Sequence, residues 1–93
     1  MSLLPIFLKL EGRPALVVGA GAVALEKIGS LLKTGARLRV VAPEAREEVR
    51  ELARAGRIEW VEKRFEPSDL DGRFIVIAAT DSPEANAAVY RAA

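Results

Sequence analysis

A short glycine-rich segment is the strongest chemical signal in the sequence. Residues 19–24, GAGAVA, fit the pattern G-x-G-x-x-G/A. In this pattern Gly19 permits a tight turn, Gly21 leaves room for a pyrophosphate, and Ala24 lets a helix pack closely on a strand. Backbone N–H groups and the positive end of the helix dipole then face the phosphates. The segment predicts a dinucleotide site, and the alternative for so short a pattern is a packing turn that binds no nucleotide.

A ribose-binding acid is the second part of such a site, and it normally follows the next strand. The candidate here is Glu44, displaced past the strand end by Ala42 and Pro43. Glu44 either holds the ribose hydroxyls or favours the N-terminus of its own helix, and the backbone at Ala42 and Pro43 is an alternative lining for the adenosine. The first arginine after the strand is Arg46, so a 2′-phosphate lacks an obvious partner. NAD is therefore favoured over NADP.

Thr80 and Asp81 are the third candidate pair, because they follow the longest apolar run of the chain. Ligands of open parallel sheets bind outside the carboxyl ends of the strands, and the small Ala78 and Ala79 would let a dinucleotide lie there. Asp-Ser-Pro-Glu is also an ordinary helix start. Capping is therefore an equal alternative for Asp81, and Thr80 is similarly ambiguous.

Whole classes of chemistry are excluded because the chain has no cysteine and no histidine. This rules out disulfides, thiolate catalysis, imidazole acid–base catalysis and zinc sites built from these residues. The sequence also places no pair of carboxylates into an acid–base site. We therefore expect a cofactor-binding site with no metal and with catalytic residues that remain unknown.

Charge and hydropathy limit the partners and the location. The chain carries 14 Lys and Arg against 13 Asp and Glu, and no stretch gathers five like charges. A nucleic-acid partner is therefore not expected. No apolar segment approaches the roughly 20 residues of a membrane span, and the apolar start lacks the basic region of a signal peptide. We expect no membrane association and a cytoplasmic location.

Alternating strands and helices must position these residues. Continuous apolar runs predict strands covered on both faces, as for the central strand and for the run before Thr80. Alternation at residues 58–62 predicts an outer strand, and one helical turn is expected after Pro67. Trp60 and Phe74 are expected in the core. The predicted strands span residues 4–10, 15–18, 38–41, 58–62 and 74–79, and the predicted helices span 22–34, 44–55 and a segment that begins at Asp81 or Ser82.

The order of these elements predicts the fold class. Without the strand at 4–10, it is strand, helix, strand, helix, strand, strand, helix. Right-handed crossovers then give an α/β, Rossmann-like, doubly wound and mostly parallel sheet with helices on both faces and strand order 3-2-1-4. A length of 93 residues with 51% hydrophobic residues allows one folded domain. We expect residues 1–93 to be a single NAD-binding Rossmann domain.

Several motifs in register resemble siroheme synthase, in its dehydrogenase and ferrochelatase part. The resemblance covers nearly the whole chain, and the Leu-Pro-Ile-Phe start and the Ala-Ala-Thr-Asp strand end are more specific than the glycine turn. The motifs are residues 4–7, residues 17–24 with Lys27, and residues 31–36, 40–43 and 77–81.

The resemblance implies an oxidoreductase of sirohaem biosynthesis. The activity implied is precorrin-2 dehydrogenase, in which NAD accepts hydride from precorrin-2 to give sirohydrochlorin, and ferrous iron insertion is often a second activity of the family. The resemblance leaves open whether that second activity is retained and whether a methyltransferase domain follows. It places dinucleotide contacts at Ala22, Val23, Pro43 and Glu44, with Thr80 and Asp81 beside the cofactor.

The family's acid–base aspartate lies on a strand after the third helix, beyond residue 93. The resemblance therefore implies a domain truncated at its C-terminus, which is inactive alone, and a full-length protein that forms a homodimer. The competing interpretation is a non-catalytic, NAD-sensing regulatory module. It shares the glycine turn, but it assigns no role to the Leu-Pro-Ile-Phe start.

Overall fold

A computed structural model describes residues 10–92. They form a four-stranded sheet with three α-helices and one short 3₁₀ helix. The strands are β1 Pro14–Val18, β2 Arg37–Val41, β3 Glu59–Val61 and β4 Ile75–Ala78, the helices are α1 Ala22–Leu32, α2 Glu47–Arg54 and α3 Pro83–Ala92, and the 3₁₀ helix is Pro67–Leu70.

The sheet has the order β3-β2-β1-β4, and every neighbouring pair is parallel. This confirms the predicted Rossmann-like class and the order 3-2-1-4. The carboxyl ends of β1, β2 and β4 align, because Val18 of β1 pairs with Val41 of β2 and with Ala78 of β4. The chain runs outward from β1 through β2 to β3 and then crosses to β4. The switch point of the topology therefore lies between β1 and β4.

Two apolar clusters cover the two faces of the sheet. Ala15 and Val17 of β1 face the cluster that contains Ile28 of α1. Leu16 and Val18, which alternate with them, face the cluster that contains Val89 of α3. Successive strand side chains point to opposite faces, so this alternation places α1 and α2 on one side and α3 on the other. Strand β1 is thus the central, doubly covered strand that its apolar run predicts.

Helix α2 begins three residues later than predicted. Arg46 has an extended backbone at the N-cap (φ −62°, ψ 154°), and its N–H donates to the carbonyl oxygen of Ala20 over 3.0 Å. This bond holds residues 44–46 against the glycine turn instead of in the helix. The expected start at Glu44 is therefore wrong, and the segment becomes part of the carboxyl edge of the sheet.

Strand β4 is less covered than predicted. All four of its residues are half-buried, because β4 is an edge strand of the sheet formed by residues 10–92. Its side chains alternate between the two clusters, with Ile75 and Ile77 on the first and Val76 and Ala78 on the second. The strand therefore contacts apolar residues on both faces, as predicted, but it is only partly buried.

Phe74 lies before β4, 49% exposed, with the Arg13 guanidinium 4.9 Å from its ring centre. The prediction of a core position for Phe74 is wrong. Trp60 does pack half-buried against the first cluster, and its Nε1 donates to the Ala42 carbonyl over 3.0 Å.

The strand predicted at residues 4–10 lies outside the described residues except for Leu10. Leu10 is buried in the first cluster without belonging to a strand. The 3₁₀ helix at Pro67–Leu70 matches the single helical turn expected there. Within residues 10–92, none of the helices combines the length and the apolar character that crossing a bilayer requires.

Candidate functional site

Gly19 ends strand β1 where three strand ends meet. Its φ is +118°, and a Cβ at this position would lie only 2.6 Å from the carbonyl oxygen of Ala79. Its N–H donates to the Val41 carbonyl over 2.9 Å. Both the left-handed backbone and the close approach require glycine here. The residue therefore holds the ends of β1, β2 and β4 together at the carboxyl edge.

Gly21 lies at the opening of α1 under different constraints. Its φ is −93°, and a Cβ would meet nothing closer than the Asp81 Oδ2 at 3.8 Å. The protein's own packing therefore does not require glycine, and a side chain would project into open space beside the helix. Helix α1 has neither a side-chain cap nor an acidic residue in its first turn. Its first N–H groups and this space together fit the pyrophosphate of a dinucleotide.

A cleft of about 410 Å³ opens beside the glycine turn, on the side of the sheet covered by α1 and α2. We call it the first cleft. It contains six of the eight predicted cofactor residues. They are Gly19, Gly21, Pro43, Glu44, Thr80 and Asp81, and Ala20, Ala42, Ala45 and Arg46 complete the lining.

The other two predicted residues, Ala22 and Val23, do not line this cleft. They form the exposed start of α1, and Val23 is 48% exposed. What these residues can offer a ligand is their backbone N–H groups, because the first four N–H groups of a helix have no partner within it.

A second cleft of about 510 Å³ opens on the α3 side of the same edge. Most of its lining is apolar, including Val18, Val41, Phe65, Ala85 and Ala88, and Arg64 and Asp81 are its charged residues. It shares Gly19, Ala42, Pro43, Thr80 and Asp81 with the first cleft. The two clefts therefore meet along the switch point, where open α/β sheets bind their ligands.

Glu44 lies in the first cleft and outside α2. The first turn of α2 holds Glu47 and Glu48 instead, so the alternative that Glu44 supports the start of this helix does not describe the structure. Arg46 lines the same cleft, although it is not among the site residues predicted from the sequence. The bond between Arg46 and Ala20 brings it there, and its guanidinium lies 3.5 Å from Glu48.

Ser82, and not Asp81, caps helix α3. Its Oγ accepts a hydrogen bond from the N–H of Ala85 over 3.1 Å, which is the geometry of an N-cap serine. Asp81 is exposed and lines both clefts. Of the two roles open to Asp81, the structure therefore gives capping to its neighbour and leaves the Asp81 carboxylate at the site.

Thr80 is held by Asn86, a residue that the motif analysis missed. Asn86 Oδ1 accepts from the Thr80 N–H over 3.0 Å, and Asn86 Nδ2 donates to the Thr80 carbonyl over 3.1 Å. The Thr80 hydroxyl lies 2.7 Å from Asn86 Oδ1 and accepts from the Ser82 N–H over 3.1 Å. Thr80 therefore shapes the strand end and has little hydroxyl capacity left for a ligand. An asparagine six residues after Thr80 was the available signal.

The loop that carries Arg64 and Phe65 is fixed by one carboxylate. Asp69 Oδ2 accepts from Lys63 Nζ over 2.6 Å and from the Glu66 N–H over 2.7 Å. Partial burial raises the pKa of Asp69, but these hydrogen bonds outweigh it and hold the pKa below the ordinary aspartate value. The hydrogen bond to Asp69 raises the pKa of Lys63. Lys63 and Glu66, which flank Arg64 and Phe65 in the chain, are therefore both held in place by Asp69.

No metal centre is found within residues 10–92, since no group of three or more potential acidic, histidine or cysteine ligands comes together there. What the carboxyl edge offers is an uncapped helix start, a carboxylate on each side of the turn and two joined clefts. This arrangement can bind and orient a dinucleotide.

Comparison with known proteins agrees with this site. Residues 6–93 match NAD_binding_7, a family of NAD(P)-binding domains. Siroheme synthase 3 of Aeromonas hydrophila is 50% identical over 93 residues, which are 100% of this chain and 20% of that protein. Siroheme synthase of Photorhabdus laumondii is 49% identical over 90 residues, which are 97% of this chain and 19% of that protein. The chain thus spans about 20% of the length of the curated relatives it matches.

A solved structure agrees with the fold. SirC, precorrin-2 dehydrogenase, has a TM-score of 0.88 and 33% sequence identity, covering 95% of this chain and 44% of that chain. The comparisons confirm the predicted fold, the resemblance to siroheme synthase and NAD as the cofactor. The chain belongs to the NAD_binding_7 family of NAD(P)-binding domains, and it is similar to part of siroheme synthases and to part of SirC, precorrin-2 dehydrogenase.

Proposed function

We propose that the protein containing this chain oxidises precorrin-2 to sirohydrochlorin with NAD, as a step of sirohaem biosynthesis. The observation that carries the proposal is the pair of joined clefts around Gly21 and the uncapped start of α1. A dinucleotide has two halves joined by a pyrophosphate, so it suits two clefts that meet at an anion-binding helix start. The 33% identity to SirC, precorrin-2 dehydrogenase, supports the choice of reaction.

The residues of the chain divide the cofactor between the clefts. The backbone at Gly21, Ala22 and Val23 holds the pyrophosphate, and Glu44 and Pro43 hold the adenosine ribose in the first cleft. The nicotinamide half lies toward β4, beside Asp81. When bound, NAD supplies the hydride acceptor, and Gly19 and Ala79 shape the strand end against which it lies. Glu44, an acceptor for ribose hydroxyls, favours NAD over NADP in spite of the nearby Arg46.

Several properties of the whole protein are part of the same proposal. They rest on the resemblance to siroheme synthase and not on a feature of residues 10–92. They are a cytoplasmic location, a homodimer, an acid–base aspartate downstream of this chain and, as a second activity, insertion of ferrous iron into sirohydrochlorin.

An anaerobic assay of the full-length gene product with precorrin-2 and NAD tests the proposed reaction. We expect the absorbance of sirohydrochlorin to appear together with that of NADH in equal amounts. Binding of NAD without any formation of sirohydrochlorin would overturn the proposal and favour the NAD-sensing module. Titration calorimetry with NAD on the same protein separates these outcomes from a failure to bind the cofactor.

A further inference from the structure

The second cleft extends beyond the residues that a dinucleotide needs. Its near side is the shared edge around Gly19 and Asp81, and its far side is formed by Arg64 and Phe65 together with alanines of α3. Arg64 follows β3, whereas the cofactor residues follow β1, β2 and β4. Because β3 and β4 are the two edge strands of the sheet, Arg64 and Phe65 lie across the second cleft from Asp81, beside which the proposed function places the nicotinamide half.

Arg64 is a free cation at this place. It is exposed, and within residues 10–92 no carboxylate lies within ion-pair distance of it and no hydrogen bond engages its guanidinium. Arg46, Arg39 and Arg54, in contrast, each have an acidic partner. The guanidinium is a planar fork that matches a carboxylate with two parallel hydrogen bonds. Arg64 therefore provides an unused carboxylate-binding group at the mouth of an apolar cleft.

The backbone that carries Arg64 is held from both sides. Lys63 is anchored by its side chain to Asp69, and its N–H lies 3.2 Å from the Ala42 carbonyl at the end of β2. Glu66 is anchored by its N–H to the same Asp69 carboxylate. Phe65 packs half-buried against the second cluster. Because these hydrogen bonds fix the backbone at Arg64, binding of a ligand requires a smaller loss of conformational entropy.

We propose that Arg64 binds a carboxylate side chain of the tetrapyrrole substrate in the second cleft. Phe65, Ala85 and Ala88 provide the apolar wall along which the tetrapyrrole edge lies. The inference rests on the proposed function and deepens it. The acetate and propionate groups of such a substrate are anions on an apolar ring system, and the wall and the cation match these two features.

The test uses the full-length protein and three variants. Arg64→Gln removes the charge, Arg64→Lys keeps it without the planar fork, and Arg57→Gln is the matched control. Arg57 is also exposed, and it lies in the turn before β3, at the amino end of the strand and away from the clefts at the carboxyl ends. Binding of sirohydrochlorin, which keeps the carboxylates of the substrate, is measured by fluorescence in the presence of saturating NAD. NAD binding is measured separately by calorimetry.

We expect Arg64→Gln to weaken sirohydrochlorin binding about fivefold and to raise KM for precorrin-2 similarly, with kcat and NAD binding within about twofold of the parent. Arg64→Lys should recover part of the loss, and Arg57→Gln should match the parent. Added salt should weaken the parent more than Arg64→Gln, because only the parent has the ion pair.

The outcomes separate this inference from the proposed function. An active parent with unchanged sirohydrochlorin binding in Arg64→Gln would overturn the inference alone. Weaker NAD binding in that variant would also overturn it, since Arg64 would then serve the cofactor phosphates. Arg64-dependent binding of sirohydrochlorin by a parent that does not oxidise precorrin-2 would support the inference and overturn the proposed reaction. A parent that neither binds nor oxidises tetrapyrrole would overturn both.

Discussion

At the residue scale, the two glycines of the turn, Gly19 and Gly21, are subject to different constraints. Gly19 is required by the protein itself, because of its φ of +118° and the 2.6 Å that would separate a Cβ from the Ala79 oxygen. Gly21 has an ordinary φ, and no protein atom lies within 3.4 Å of where its Cβ would be. A glycine that the fold does not need, at an uncapped helix start, indicates a position reserved for a ligand. We therefore propose that Gly21 is the glycine that serves the ligand.

Substitution of the two glycines should separate stability from binding. We expect Gly21→Val to abolish NAD binding in titration calorimetry and to leave Tm within about 3 °C of the parent. Gly19→Ala should instead lower the free energy of unfolding by about 2–3 kcal/mol, through strain and a clash with backbone. If Gly21→Val binds NAD as tightly as the parent does, the turn only serves packing.

At the element scale, single polar side chains hold the connections that surround the site. Asp69 forms hydrogen bonds with both ends of the loop between β3 and the 3₁₀ helix. Asn86 connects α3 to the end of β4 through hydrogen bonds with Thr80. Neither side chain lines a cleft. Through these bonds they fix the backbone next to Arg64 and next to Asp81, respectively, and we infer that they position these two side chains.

Loss of the Asp69 carboxylate should destabilise the loop in a pH-dependent way. Because the folded-state pKa of Asp69 is lowered, its contribution is complete above the ordinary aspartate pKa of about 4 and disappears as the pH falls through the lower folded value. Because the folded-state pKa of Lys63 is raised, its contribution is complete below the ordinary lysine value of about 10.4 and disappears as the pH rises through the higher folded value. We expect Asp69→Asn to cost about 1 kcal/mol at pH 7.

Thermal unfolding as a function of pH measures this effect. The Tm difference between Asp69→Asn and the parent should be several degrees at pH 7, and it should shrink as the pH falls below the ordinary aspartate pKa of about 4 toward the lowered folded-state pKa. Asp71→Asn changes an exposed carboxylate directly after the 3₁₀ helix that has no ion pair within residues 10–92, so it should show no such difference. A gap that stays constant with pH would contradict the assignment.

Removal of the Asn86 amide should disturb the strand end. Asn86→Ala leaves the Thr80 N–H and carbonyl without their partners, and we expect a loss of about 2 kcal/mol in stability. KM for NAD should rise even well below the unfolding temperature, because Asp81 is no longer held beside the clefts. Arg91→Gln, an exposed change at the other end of α3, is the control. Unchanged KM for NAD in Asn86→Ala would show that the contact is only structural.

At the scale of the whole molecule, the two clefts bring together elements from distant parts of residues 10–92. The clefts are lined by residues that follow all four strands and by residues of α3. A ligand that bridges these elements stabilises the folded state by RT ln(1 + [L]/Kd), which is about 2.7 kcal/mol at 100 times Kd. NAD binding should therefore be visible in the stability of the protein.

Thermal shift measurements with NAD and NADP test this coupling. We expect NAD to raise Tm by several degrees and NADP to raise it less, because Glu44 accepts hydrogen bonds from ribose hydroxyls and repels a 2′-phosphate. In Glu44→Gln the two shifts should become similar. Glu51→Gln changes an exposed glutamate of α2 outside the clefts and is the control. Equal shifts for both dinucleotides in the parent would contradict the role of Glu44.

The sequence alone determined the fold class, the strand order and the glycine turn. Apolar runs and helical periodicity report which faces of each element are buried, and right-handed crossovers then leave few topologies. The resemblance to siroheme synthase followed from motifs at the same strand ends. These features are local in the chain, so they are readable without coordinates.

Only the tertiary structure decided which side chains are free to act. The contact between Arg46 and Ala20 delays α2 and leaves Glu44 in a cleft, and Ser82 takes the cap and leaves Asp81 unengaged. Burial of β4 was overestimated because its continuous apolar run has the same pattern as a fully buried strand, although the predicted strand order already places it at an edge of the sheet. Each outcome depends on which groups form a given hydrogen bond or on which element packs beside a strand. These contacts join residues that are far apart in the chain, so only the tertiary structure shows them.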